Sequence, residues 1–138
     1  MSAEAERRGL DIECLHRDGN APDAYEAGGY DLVSMQYSSV HRTPDHRGLR
    51  NLLAGVAPGG TLLVVGHDLT PMREPIDVAD QTRMFDPDAY LGVDEIAASL
   101  ADSPEWEIEV HELRPRPPGA VSTHHIDDVV LRARRLAS

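Results

Sequence analysis

Apolar positions along this chain recur with two different periods, and the changes of period divide it into elements. Residues 3–8 are charged and alanine-rich, and Gly9 follows as a helix stop. Residues 10–16, Leu-Asp-Ile-Glu-Cys-Leu-His, alternate apolar with polar, which predicts a half-buried strand. Cys14 inside it is expected as a small buried hydrophobe. A loop follows at Asp18-Gly19-Asn20-Ala21-Pro22, a cluster of turn-forming residues. Tyr30 to Tyr37 is the second predicted strand, and its uncharged centre, Leu32-Val33-Ser34-Met35, is what a strand covered on both faces requires. From Pro44 to Ala57 the period lengthens. Leu49, Leu52, Leu53 and Val56 fall at i, i+3, i+4 and i+7, the stripe of an amphipathic helix that Pro58-Gly59-Gly60 should end. Residues 61–66 are continuous, rich in β-branched side chains and bounded by glycines, which predicts a central parallel strand.

The stretch from Leu69 to Gly92 is rich in Asp, Pro and Met and has no clear period. Loops of that length in compact domains are usually functional or mobile. A further helix is predicted over 93–100, a strand over 106–113, a loop over 114–119 and a last strand over 127–134. The order strand, strand, helix, strand, helix, strand, strand indicates an α/β sheet of about five strands, finishing with an antiparallel, hairpin-like pair.

Composition narrows the function classes. The 138 residues make one domain, and 41% apolar with 27% charged residues is a globular balance, not a disordered one. Thirteen basic residues, all arginine, stand against 24 acidic ones for a net charge of −11, which argues against a nucleic-acid partner. The longest apolar run, Leu62 to Val65, is far too short to cross a bilayer, and the N-terminus lacks the apolar segment of a signal peptide. With Cys14 alone there is no intramolecular disulfide to form, so a cytoplasmic protein without a membrane partner is expected.

Two stretches carry a family resemblance. Tyr30-Asp31-Leu32-Val33, then a helix, then Leu53-Ala54-Gly55-Val56-Ala57-Pro58-Gly59-Gly60-Thr61-Leu62-Leu63-Val64-Val65, resembles the second half of a class I S-adenosylmethionine-dependent methyltransferase. In that family an F/Y-D-L-V strand is the fourth of the sheet, and a helix ending in L-x-P-G-G leads into the fifth. The late helix near Val93, the Trp106 strand and the closing strand from Asp128 to Arg134 extend the similarity from about Gly9 to Arg134. The resemblance implies a Rossmann-like sheet with strands ordered 3-2-1-4-5-7-6 and S-adenosylmethionine as cofactor. It also exposes a departure: no G-x-G-x-G occurs, and only eight residues precede Gly9. The chain is thus expected to be a single partial domain, 1–138, without the first two strands and the first helix. That leaves a gap on the order of 10 Å at ordinary strand spacing. Either the third strand closes it by collapsing onto the fourth, or a second copy or a partner chain fills it, and a homodimer is favoured because open sheet edges seek partners.

The residues at the C-terminal ends of parallel strands are the candidates for chemistry, because ligands of open α/β sheets bind there. The resemblance places Asp18 and Gly19 against the cofactor's adenine, whereas Asp-Gly is also ordinary turn chemistry. Met35, Gln36 and Tyr37 end the fourth family strand, where the cofactor packs. A satisfied amide of the core or an interface is the equal alternative for Gln36. His41 and the pair His67-Asp68 each follow a strand and are the acid/base candidates, an imidazole being able to take a proton near neutral pH. His124-His125 would point to opposite faces of a strand, and no zinc-site spacing is present, so no metal is expected. Two functions follow. The first is S-adenosylmethionine-dependent methyl transfer to a small-molecule ligand if the missing half is supplied. The alternative is a non-catalytic, methyltransferase-derived binding or dimerisation module.

Overall fold

The computed structural model describes residues 2–37, 40–68, 89–119 and 127–137. Its elements are α1 (Ser2–Arg7), β1 (Tyr30–Gln36), α2 (Arg47–Gly55), β2 (Val56–His67), α3 (Val93–Ala101), β3 (Trp106–Pro115) and β4 (Asp127–Arg135). They build one four-stranded sheet in the order β1-β2-β4-β3. β1 and β2 run parallel, whereas β4 is antiparallel to both β2 and β3. Parallel neighbours need a crossover, and α2 supplies it; the last two strands need none.

One face of the sheet is sealed. Leu62 and Val64 of β2, with Val129, Leu131 and Ala133 of β4, alternate onto that face at period two. Leu49 and Leu52 of α2 and Ile96, Ala97 and Leu100 of α3 pack on it in a single buried cluster. Both helices therefore cover the same side. On the other side Leu63, Val65 and Val130 are half-buried and Leu32 is 59% exposed. β2 is continuously apolar, yet only one of its faces is fully covered.

The strand expected over 10–16 does not form. These residues pair with no strand, and Leu10, Ile12, Leu15 and Cys14 are all exposed. The physical reason is the missing neighbour: an alternating segment has no backbone partner unless a second strand lies beside it. Among the described residues the sheet thus has four strands, without the one expected over 10–16, and Cys14 is not the buried hydrophobe its pattern implied. Nor is the centre of β1 covered on both faces.

α2 ends three residues before Pro58, at Gly55, and β2 begins at once. Ala57-Pro58-Gly59-Gly60 is absorbed as an irregularity in the β1–β2 register, between the pairs Tyr30–Val56 and Leu32–Thr61. Gly59 takes a positive φ of 81°, and a Cβ on Gly60 would stand 2.8 Å from the Ala57 carbonyl oxygen. The loop expected at Arg114-Pro115 is instead the end of β3. His124, His125 and most of the long 69–92 segment lie outside the described residues. No helix among the described residues is long and apolar enough to cross a membrane.

Candidate functional site

The parallel pair β1–β2 points both its C-terminal ends at one place, and β4 begins there. Tyr37 follows β1 directly and donates its backbone N–H to the Val65 carbonyl at 2.8 Å. His67 closes β2 and lies opposite Asp128 in the antiparallel register of β2 and β4. Cross-strand partners have neighbouring side chains, so this register alone brings imidazole to carboxylate.

The Asp128 carboxylate serves two residues. Tyr37 donates its hydroxyl to Oδ2 at 2.9 Å, and His67 Nδ1 lies 3.1 Å from Oδ1. The rings of Tyr37 and His67 stack at a centroid separation of 4.5 Å, tilted by 31°. Tyr37 holds a left-handed backbone with φ 51°, a conformation that costs a bulky residue on the order of 1 kcal/mol or more and collects at functional sites. The hydrogen bond to Asp128 pushes the Tyr37 phenol above its ordinary value. Desolvation and the carboxylate charge add to this, and Arg116 opposes it. Asp68 donates its N–H to the Asp127 carbonyl at 3.0 Å, which carries the ladder one residue past β2.

A cavity of about 320 Å³ lies between β1 and α2. Met35 and Gln36, both expected to meet a cofactor, line it together with Val33, Ser34, Leu52 and Leu91. Successive residues of β1 point to opposite faces, so a cavity touching 33 through 36 follows the strand's outer edge rather than one face. Gln36 Nε2 donates to Ser34 Oγ at 3.2 Å, which gives the amide a partner on its own strand.

Asp18 and Gly19 stand at the rim. Asp18 Oδ1 accepts the Asn20 N–H at 2.9 Å, an Asx-type turn, and Asn51 of α2 donates to the carbonyls of Gly19 and Ala21 at 2.9 and 2.8 Å. A Cβ on Gly19 would lie 3.2 Å from the Tyr25 hydroxyl and 3.6 Å from Val40, both of which line the cavity. His41 is placed differently from His67. It bridges to Tyr90 in an isolated antiparallel pair, with ring centroids 4.7 Å apart. The two histidines are thus held by different tyrosines. Among the described residues no three His, Cys, Asp or Glu side chains are grouped to hold a metal.

No family model matches the sequence, and no curated protein matches it. Solved structures do. An S-adenosylmethionine-dependent methyltransferase from Methanosarcina mazei superposes with a TM-score of 0.63 at 16% identity, over 99% of this chain and 76% of its own. The fold is that of a class I methyltransferase. A structure solved for the conversion of a disulfide bond into a thioacetal group during echinomycin biosynthesis gives a TM-score of 0.61 at 16% identity, over 99% of this chain and 61% of that one. TehB from Haemophilus influenzae gives 0.62 at 16%, over 97% of this chain and 44% of its own. The chain therefore spans less than two thirds of the length of some proteins whose fold it shares.

The cofactor of such a fold carries an adenosine end and a charged amino-acid end. The cavity offers apolar walls and the amide and hydroxyl of Gln36 and Ser34, and its volume is near the lower limit of about 300 Å³ for small-molecule sites. Among the described residues no charged side chain lines it. The described residues suit a flat adenine and do not fit the charged methionine end.

Proposed function

We propose that this chain is the acceptor-side portion of an S-adenosylmethionine-dependent methyltransferase for a small molecule, acting in the cytoplasm as a homodimer that pairs at the β1 edge. The observation that carries this reading is the strand order. β1-β2-β4-β3, with one parallel and two antiparallel pairings, corresponds to strands 4-5-7-6 of the family sheet. Ligands of such sheets lie at the C-terminal ends of the parallel strands, and Met35 and Gln36, which end β1, line the cavity. Self-pairing is supported by β1 itself, a sheet edge among the described residues that exposes Tyr30 and Leu32.

Within that site this chain's own residues bind, orient and exclude water. Val33, Met35, Leu52 and Leu91 present apolar surface to a flat ring, and Gln36 with Ser34 orients it. Methyl transfer draws mainly on such positioning. The lack of fit for the methionine end favours a second reading, a non-catalytic binding or assembly module derived from the same fold.

Calorimetric titration of the full chain with S-adenosylhomocysteine separates the two, with the solution mass recorded in the same buffer. Saturable binding by a dimer at micromolar affinity, about −8 kcal/mol, is the expected result. A flat titration on a folded sample overturns the enzyme reading and leaves the module.

A further inference from the structure

We propose that residues 10–16 of a second copy of this chain add as a strand to the open edge of β1, and that Leu10, Ile12 and Cys14 of that segment wall the cavity between β1 and α2. The proposal rests on the homodimer reading given above and names the segment that makes the pair.

The edge offers a defined set of backbone groups. Tyr37 donates its N–H to the Val65 carbonyl, and successive residues of a strand direct their backbone groups to alternate sides. Val33 and Met35 therefore share the β2 side with Tyr37. Leu32, Ser34 and Gln36 direct theirs outward, where no strand lies among the described residues. The cavity touches residues 33 to 36 along this edge and continues to Tyr25 and Val40.

The same chain carries a strand-length piece with nothing to pair with. As a strand, residues 10–16 place Leu10, Ile12 and Cys14 on one face and Asp11 and Glu13 on the other. Leu10 and Ile12 are 53% and 47% exposed in the single chain. Laid beside β1, each face meets matching surroundings. The α2 side of the sheet presents Val33, Met35 and the apolar cavity wall, and takes the apolar face. The other side presents Leu32, Ser34 and Gln36, uncharged and exposed, and leaves Asp11 and Glu13 in water. A slip of one residue would turn two carboxylates toward the cavity, so burial fixes the register. Main-chain bonds to an edge, with a pocket for alternate side chains, are the physics of strand addition.

The segment does not lie on its own β1. Asn51 holds the carbonyls of Gly19 and Ala21, and Gly28 donates its N–H to the Ala54 carbonyl, so the chain after the segment is pinned along α2. Beyond that anchor the segment runs exposed and unpaired. A second copy can receive it while giving its own in return. The exchange is reciprocal, so it closes as a twofold dimer with both β1 edges covered.

The test uses the full chain, with sedimentation for mass and a thiol reagent on Cys14, the one cysteine, for the position of the segment. The wild type is expected at twice the chain mass, with Cys14 reacting about tenfold or more slowly than after dilution to monomer. Ile12→Asp changes a side chain exposed in the single chain, so it should fold by circular dichroism, yet sediment at one chain mass with a reactive Cys14. Glu13→Lys, on the open face, should remain a dimer, and its dissociation would overturn the assigned faces. A dimer that survives Ile12→Asp but not Leu32→Lys pairs through β1 without this segment, which overturns the proposal and leaves the homodimer reading. A wild-type monomer overturns both. Neither readout needs a cofactor, so a flat S-adenosylhomocysteine titration bears on the enzyme reading alone.

Discussion

Leu131 and Leu15 both come from stretches in which apolar side chains recur at short spacing, yet Leu131 is fully buried and Leu15 is 54% exposed. The difference lies in their neighbours. Leu131 belongs to β4, hydrogen-bonded to β2 on one side and β3 on the other, with α3 packed across the face it presents. Leu15 belongs to a segment paired with no strand. β1 lies between these extremes. Its inner edge is tied to β2, its outer edge is unpaired among the described residues, and Val33 and Met35 pack on the core while Leu32 does not. Burial in this molecule follows strand pairing, and amphipathic pattern alone does not confer it.

The largest expected effect sharpens that contrast. Leu131→Ala or Ile96→Ala removes methyl groups from sites with no exposure and should cost about 2–5 kcal/mol. Leu15→Ala should stay within about 0.5 kcal/mol. Urea unfolding midpoints measure both, and equal losses would show that residues 10–16 are packed after all. Gly66→Ala comes next. A Cβ there would stand 2.8 Å from Val93 Cγ2, so either the Val93 side chain or α3 must shift, at a cost of about 1–3 kcal/mol.

A smaller effect concerns the site. The hydrogen bond from Tyr37 to Asp128 holds the phenol above its ordinary value, so the folded chain keeps that proton more tightly than the unfolded one. The resulting stability is complete below the unfolded value of about pH 10 and is lost as pH rises through the higher folded value. Unfolding midpoints of the wild type should fall across that alkaline range more steeply than those of Tyr37→Phe. Parallel slopes would show that the bond adds nothing. The smallest change in stability is expected for Leu32→Lys, within about 0.5 kcal/mol. Its effect belongs to assembly: a charge on an open strand opposes edge pairing, and sedimentation should report a monomer. A dimer that survives the substitution does not pair through β1.

Much of the fold was legible because its signals are local. The 3.6-residue stripe of Leu49 and Leu52 and the β-branched run 61–66 each specify an element from adjacent residues. The segment 10–16 carries an equally clear period, but the period records a preference for one apolar face and says nothing about whether a partner strand exists. The site divides the same way. Tyr37 and His67 were placed by their positions just after parallel strands. Asp128, which links them, was not, because its neighbour His67 is 61 residues away and the two meet only through the β2–β4 register. An acidic pair opening an apolar strand, Asp127-Asp128, was the one available sign.

That register also has a consequence for the chain as it is made. β2 is one of the two inner strands, and on one side it depends on β4, whose first contact with it pairs Asp128 with His67 across 60 intervening residues. At a synthesis rate of about 5–20 residues per second, those residues take roughly 3–12 s to emerge. During that interval Leu62 to Val65, the most continuous apolar run in the sequence, is made but lacks its antiparallel neighbour. An inner strand of the finished sheet is thus one that a chaperone has seconds to find.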